Sequence, residues 1–154
     1  MRNILSLGLL IALTAVVSAK PASDSQKSFS VNVPDNWKYT TQVNSRGTKE
    51  NGWKEAKDRG ALTLTSFNVG ETSLEEWAKR SARQDPKAIV SSDTLGSETA
   101  KRVDFTTSDG YINTIWLTTK NKRGAMITLV RTKECPDDIA AISKAIVSSF
   151  HWGK

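Results

Sequence analysis

The residue types that most often carry catalysis are scarce in this sequence of 154 residues. His151 is the only histidine and Cys135 is the only cysteine. A general base needs partners that hold it rigidly, and a position so near the end of the sequence rarely provides them. If one helix joins the two residues, they lie roughly 20 Å apart at helical rise. The sequence therefore disfavours a Cys135–His151 dyad.

Metal ligands are equally sparse. Glu134, Asp137 and Asp138 surround Cys135, but this donor set is too small for zinc. Three carboxylates hold calcium only weakly, and the dipole of a helix that starts here explains them more simply. The glycines lack the spacing of a phosphate-binding loop, and no serine lies in a nucleophile-elbow pattern. We predict no metal, no cofactor and no enzymatic activity.

Tryptophan is unusually frequent, with five residues in the chain. Trp37, Trp77 and Trp116 fall on periodic apolar faces, which predicts that they belong to the core. Trp53 lies instead in the charged, glycine-containing segment 44–60. An exposed tryptophan there stacks on a sugar, a base or a partner side chain. The alternative is that Trp53 folds back as a lid over one end of the core.

Basic side chains near Trp53 and at one hairpin tip are a second binding feature. On the same edge of the domain, the two groups would form a basic rim for phosphate-rich or acidic partners. The alternative is that charged tips only keep the hairpins soluble. Arg46 is a further contributor to this rim. The candidate binding surface consists of Trp53, Lys49, Lys54, Lys57, Arg59, Lys120, Lys122 and Arg123.

Residues 1–19 have the pattern of a secretory signal peptide. Arg2 precedes an apolar run over residues 4–17, and Val17-Ser18-Ala19 places small side chains at a cleavage site. The run is short for a membrane span, and no cysteine follows it for lipid attachment. We predict cleavage after Ala19 and a protein that works in a periplasm or outside the cell.

The charge of the mature chain bounds its partners only loosely. Loss of Arg2 lowers the formal net charge from +6 to +5. A moderate, dispersed excess suits anionic lipid or acidic polysaccharide, and nucleic acid less well, but it is also ordinary for an exported protein. The single Cys135 cannot form an intramolecular disulfide.

Alternating apolar residues predict a sheet that is interrupted by one helix. Polar residues 20–28 predict a flexible lead-in, and one globular domain is expected over 29–154. Three strands are expected before the helix. Segment 44–60 is either a mobile hairpin connection or contains a short irregular strand around Trp53. About four strands follow, and the two longest carry apolar residues on both faces, as central strands do.

Two helices complete the pattern. Ser73 and Glu76 form a capping box for the first helix, which ends before Pro86. The second is expected from about Pro136 to Ser149. Strands joined by tight turns imply antiparallel pairing. The predicted fold class is therefore α+β, an α/β/α sandwich on a mainly antiparallel sheet of about six to seven strands with two principal helices.

Three segments, in this order, resemble the PsbP-like superfamily. They are residues 29–37 (FSVNVPDNW), residues 73–78 (SLEEWA) and residues 146–150 (IVSSF). The resemblance covers residues 28–152 and relates the chain to exported bacterial members of unknown function, such as those related to DcrB. It implies an α/β/α sandwich and a binding or assembly role, and it implies no shared catalytic residues.

The expected function is that of an exported, non-enzymatic binding or accessory domain of the cell envelope or extracellular space. Its expected partner is an unknown protein or an anionic envelope ligand. One alternative is a small secreted hydrolase or inhibitor that uses Cys135 or His151. Another is a charge-driven binder of anionic lipid, polysaccharide or nucleic acid, whose binding must weaken steeply with salt.

Overall fold

The computed structural model describes residues 18–44 and 47–153. The expected signal peptide lies almost entirely outside the described residues, as does Arg46. Within the described part of the chain, no helix is long and apolar enough to cross a membrane.

Ten strands and two helices make up the described chain. The helices are α1 (Leu74–Ala82) and α2 (Ile139–Ser149). The strands are β1 (Ala19–Ser23), β2 (Phe29–Pro34), β3 (Lys38–Val43), β4 (Lys49–Lys54), β5 (Gly60–Asn68), β6 (Ile89–Leu95), β7 (Glu98–Thr106), β8 (Ile112–Lys120), β9 (Arg123–Arg131) and β10 (His151–Trp152).

Seven strands form one antiparallel sheet in the order β3-β4-β5-β9-β8-β7-β6. A second, three-stranded sheet has the order β1-β2-β10. Helix α1 packs against β7 and β8 on one face of the large sheet, while α2 packs on β2 and on β6. The predicted α+β sandwich is confirmed. β8 and β9 are indeed central strands, because they lie in the middle of the large sheet.

Two apolar cores lie on opposite faces of the large sheet. The smaller core joins Ala78 of α1 to Val103, Phe105, Ile115 and Leu117 of the sheet. The larger core joins the other face to α2 and the small sheet. Its largest fully buried side chains are Trp37, Trp116, Phe29, Leu62, Leu64, Leu95, Ile127, Leu129, Ile142, Ile146 and Val31.

The starts of both helices follow from side-chain capping. The Ser73 hydroxyl accepts the Glu76 backbone N–H at 3.2 Å, as the capping box predicts. For α2, the Asp138 carboxylate accepts the Ala141 N–H at 3.0 Å. The predicted start at Pro136 was therefore too early, because Asp138 is the residue whose side chain satisfies a free amide of the first turn.

The expected flexible lead-in over 20–28 was wrong, because most of its first half is strand β1. β1 pairs with β2 from Ala19–Pro34 to Ser23–Ser30. The buried Asp24 carboxylate then accepts the Phe29 N–H at 3.0 Å and closes the turn between the strands. Strand pairing through the backbone needs no apolar alternation, so the polar sequence gave no signal.

Candidate functional site

Trp53 is not an exposed contact residue. It lies in β4 opposite Leu62 of β5, with 5% of its surface exposed. The ring of Tyr39 packs edge-on against it at a centroid distance of 5.6 Å. Segment 44–60 thus contains the strand that was the alternative to a mobile connection, and this strand turns Trp53 into the larger core. The proposed stacking role of Trp53 is excluded by its burial.

The basic residues that follow Trp53 are tied into the turn between β4 and β5. Arg59 donates to the buried Glu55 carboxylate, with Nη2 at 2.9 Å from Oε1. The backbone N–H groups of Lys57 and Arg59 donate to Glu55 Oε2 at 2.9 and 3.2 Å. The Arg59 side chain is the main reason that the pKa of Glu55 falls to about 2, and the two backbone donors add to it. Lys54 lies 3.6 Å from Asp58.

The hairpin tip between β8 and β9 also has intramolecular partners. Lys120 Nζ lies 2.8 Å from Glu98, and Lys122 pairs with Glu71. The Arg123 guanidinium stacks over Trp152 at 5.6 Å from the ring centroid. Both lysines are exposed, Glu98 is half-buried and Glu71 is exposed, so the first two pairs are worth at most about 1 kcal/mol each. Because these pairs are weak, Lys120 and Lys122 can exchange their carboxylate partners for a ligand.

The two basic groups do not form one rim. Arg123 pairs with Asn68 at one end of β5, whereas Arg59 directly precedes Gly60 at the other end. Nine residues of extended strand separate these ends by roughly 25 Å. Lys49 begins β4 at the Asn68 end. The prediction of a shared edge was wrong because the sequence does not show that β4 and β5 run as a hairpin whose turn points away from the β8–β9 tip.

A cleft of about 530 Å³ opens between α1 and the tip of the β3–β4 hairpin. We call it the α1 cleft. The rings of Phe67 and Trp77 pack at a centroid distance of 4.7 Å in its wall. Thr65 Oγ1 and Trp77 Nε1 are buried there without a hydrogen-bond partner in the described chain. The lining residues are Asn44, Thr48, Glu50, Thr65, Ser66, Phe67, Asn68, Trp77, Ser81, Gln84 and Met126.

A second cleft, of about 310 Å³, lies between the β8–β9 tip and the turn that follows β1. We call it the tip cleft. Its charged lining residues are both basic, Lys122 and Arg123. Segment 66–68 lines both clefts, so the end of β5 is accessible from two sides. The other lining residues of the tip cleft are Gln26, Ser28 and Asn121.

The α1 cleft opens where β4 and β5 separate. Their ladder runs from Lys54–Ala61 to Asn51–Leu64 and stops there. β5 continues to Asn68, and β9 is its only partner strand there among the described residues. Beyond Leu64, the edge of β5 that faces the β3–β4 hairpin therefore has no partner strand within the described part of the chain.

A serine–histidine pair joins the small sheet. Ser30 and His151 are cross-strand neighbours of β2 and β10, and Ser30 Oγ lies 2.8 Å from His151 Nε2. His151 Nδ1 lies 3.1 Å from the carbonyl oxygen of Ser149. Since a carbonyl only accepts, the neutral ring carries its proton on Nδ1 and accepts the serine hydroxyl at Nε2. This is the arrangement of a nucleophile and a base, but His151 is exposed and other residues line the clefts described above.

The acidic group before α2 has a structural role. The Trp37 indole N–H donates to Asp137 at 2.6 Å, while Asp138 caps the helix. No group of three or more His, Cys, Asp or Glu among the described residues is arranged to hold a metal ion. Cys135 is half-buried, and its Sγ would lie 3.1 Å from a Cβ placed on Gly60. Cys135 therefore packs against the turn between β4 and β5.

The fold recurs in other proteins, although no family model and no curated protein matches this sequence. Cyanobacterial PsbP (CyanoP) from Synechocystis sp. PCC 6803 matches with a TM-score of 0.64 and 12% identity, over 95% of this chain and 98% of that chain. LpqN, involved in cell envelope biogenesis of Mycobacterium tuberculosis, matches with a TM-score of 0.53 and 11% identity, over 89% and 91%.

A protein from Bacteroides thetaiotaomicron VPI-5482 matches with a TM-score of 0.57 and 15% identity. The match covers 82% of this chain but 45% of that larger one. The structure thus has the PsbP-like fold that the sequence resemblance implied. At these identities the likeness defines the fold alone.

The α1 cleft was missed at the level of sequence. Lys122 and Arg123, two of the contact residues expected from the sequence, line the tip cleft, whereas none of the lining residues 65–68 at the end of β5 was among the candidates. One signal was available: Ser81 lies on the otherwise apolar face of α1, next to Trp77 by helical spacing. A polar residue on that face indicates that the sheet below it is not fully covered.

Proposed function

We propose that this protein is an exported, non-enzymatic binding domain of the cell envelope or extracellular space, and that it holds its partner in the α1 and tip clefts. Export would depend on residues 1–19, with Lys20 as the first residue after cleavage. The observation that carries the binding proposal is the separation of β4 from β5, beyond which segment 66–68 lines both clefts.

The chemistry of the clefts supports binding of another macromolecule rather than a reaction. The α1 cleft offers an aromatic wall and two buried polar atoms without partners, on Thr65 and Trp77. The tip cleft offers two cations, Lys122 and Arg123. Buried polar groups are normally hydrogen-bonded, so the two unpartnered atoms favour a role in contacting a ligand or ordered water. The LpqN likeness is consistent with an envelope role but shares only the fold.

Site-specific photo-crosslinking in the source organism tests this function. A benzoylphenylalanine placed at Gln84, on the wall of the α1 cleft, should crosslink the exported protein to its partner under illumination. The matched control carries the same group at Ser108, an exposed position in the turn between β7 and β8 at the opposite end of the sheet. Adducts at both positions, or at neither, would reject the cleft as the binding site.

Export is tested separately from binding. Cell fractionation should place the protein outside the cytoplasm, and mass spectrometry should find Lys20 at its amino terminus. A full-length chain retained in the cytoplasm would contradict the export proposal. The crosslinking result would still test the binding proposal.

A further inference from the structure

The open edge of β5 has a defined hydrogen-bonding direction. The Val69 N–H donates to the Lys122 carbonyl at 2.9 Å, on the β9 side. The Glu55 N–H donates to the Gly60 carbonyl at 2.9 Å, on the β4 side. The N–H and C=O groups of successive residues point to opposite edges of a strand. Since those of Gly60 point to β4, the backbone groups of the other even-numbered residues of β5 also point to that edge. Ser66 therefore directs its N–H and C=O towards the β3–β4 hairpin, beyond the last pair of the ladder.

Ser66 lies where a strand is missing. The next hydrogen-bonded pair of the ladder after Asn51–Leu64 would join Ser66 to Lys49, and neither it nor the intervening Glu50–Thr65 pair is formed. Its side chain is used otherwise, since the hydroxyl donates to the Asp24 carboxylate at 2.7 Å. Asn68, two residues on, also has its backbone groups on this side. The backbone of β5 thus offers two successive sets of edge groups to the clefts.

From this we propose that an extended, acidic segment of a partner protein binds as an added strand along β5 at residues 65–68. The inference rests on the proposed binding function and specifies its mode. Edge strands recruit extended peptides through main-chain hydrogen bonds, and pockets for alternate side chains give selectivity.

Both sides of such a strand find a matching surface. Side chains that point towards α1 meet the aromatic wall formed by Phe67 and Trp77. Side chains near the Asn68 end meet Lys122 and Arg123, which are the charged residues of the tip cleft. Lys122 pairs with the exposed Glu71, which it can exchange for an aspartate or glutamate of the ligand, and the Arg123 guanidinium stacks on Trp152.

Proline at Ser66 tests the backbone contact. It removes one of the two N–H groups, those of Ser66 and Asn68, that point at the ligand, and it keeps the β9 ladder, whose bonds come from odd-numbered residues. Proline is tolerated on a strand where its N–H faces away from the sheet. The matched control is Ser66→Ala, which loses the hydroxyl bond to Asp24 but keeps the N–H. Circular dichroism of both variants establishes that they are folded.

The probe is a phage-displayed library of random ten-residue peptides, selected for binding to the wild-type protein. We expect enriched peptides rich in Asp or Glu that bind wild type and Ser66→Ala equally. Binding to Ser66→Pro should be weaker by about tenfold, equal to roughly 1.4 kcal/mol for one main-chain hydrogen bond. Peptides that bind Ser66→Pro as well as wild type would overturn the proposal.

A measurement on the unmodified protein does not depend on how the proline variant folds. In wild type, hydrogen exchange of the Ser66 amide should slow when a selected peptide is bound. An unchanged rate at Ser66 in the saturated complex would overturn the strand-addition mode. The proposal would also be overturned in favour of a lipid surface if the library yielded no peptide and the protein sedimented with phosphatidylglycerol vesicles in a way that required Lys122.

Failure of this mode and failure of the proposed function give different results. If the crosslink at Gln84 forms equally in wild type and in Ser66→Pro, the cleft binds its partner without strand addition. If no crosslink forms in wild type, the proposed function, binding of a partner in the α1 cleft, is itself wrong.

Discussion

Phe67 of β5 and Trp77 of α1 pack with ring centroids 4.7 Å apart and an interplanar angle of 56°. The pair joins the helix to the sheet at the point where β5 has lost its β4 partner. Arg80 adds a cation 5.5 Å from the Trp77 centroid on the solvent side. This aromatic contact forms part of the wall of the α1 cleft, beside the core contacts that Ala78 makes with the sheet.

Truncation of Trp77 should loosen α1. We expect Trp77→Ala to lower the free energy of unfolding by about 2 kcal/mol, less than the 3–5 kcal/mol typical of fully buried aromatic residues, because Trp77 is only half-buried. Urea denaturation followed by tyrosine and tryptophan fluorescence measures this. An unchanged midpoint would show that the Phe67–Trp77 contact does not anchor the helix.

The conservative variant separates packing from ligand contact. Trp77→Phe keeps an aromatic ring but removes the indole N–H, which has no partner in the described chain. The free energy of unfolding should change by less than about 1 kcal/mol. Crosslinking from Gln84 should nevertheless fall if this N–H contacts the partner. Equal crosslinking yields would remove the Trp77 N–H from the binding site.

Trp53 should behave as a core residue. Its side chain is buried between Tyr39 and the large core, so we expect Trp53→Ala to cost about 3–5 kcal/mol. Tyr39→Ala is the matched control, because this neighbouring ring is 59% exposed and its loss should cost much less. Urea denaturation of both variants decides the matter. A loss below about 1 kcal/mol for Trp53→Ala would mean that Trp53 is not part of the core.

The elements of this fold were readable because their apolar patterns repeat over whole helices and strands. Ser73 and Glu76 identify the start of α1, and Ile115, Trp116 and Leu117 identify β8 as a strand that is covered on both faces. These signals are local, and the local chemistry of capping and burial produces them.

The candidate site was less readable because it depends on which strands meet. The sequence around Trp53 has charged neighbours, yet pairing with Leu62 turns the indole inward. Arg59 and Arg123 look alike in sequence, but the register of β5 places them at opposite ends of one strand. The end of the β4–β5 ladder at Leu64 has no sequence signal, because it is a property of two distant segments.

Glu55 gives the protein a defined acid sensitivity. Its pKa falls from 4.5 in a free side chain to about 2, chiefly because Arg59 donates to the carboxylate. A lowered pKa means that the folded state favours the ionised form. The stability from this group is complete above about pH 4.5 and is lost as the pH falls towards 2.

The pH dependence is isolated by comparison with Glu55→Gln. We expect wild type to be the more stable protein near neutral pH, and the difference in free energy of unfolding to shrink between pH 4.5 and about 2. Asp58→Asn is the control, since it removes one negative charge from the same turn at a side chain that is 74% exposed. A wild-type advantage that persists unchanged at pH 2 would contradict the Glu55–Arg59 assignment.

The two ends of β5 allow the basic groups to be compared directly. Lys122→Glu and Lys57→Glu make the same charge change at exposed side chains, one at the tip cleft and one in the β4–β5 turn. We expect Lys122→Glu to reduce crosslinking from Gln84 several-fold, because it places a negative charge where the acidic partner binds. Lys57→Glu should leave the yield unchanged, since roughly 25 Å of strand separates it from the cleft. Loss of the exposed Lys122–Glu71 pair costs little stability, so the two variants should unfold at similar urea concentrations. Equal reductions in crosslinking would mean that net charge, and not the tip cleft, attracts the partner.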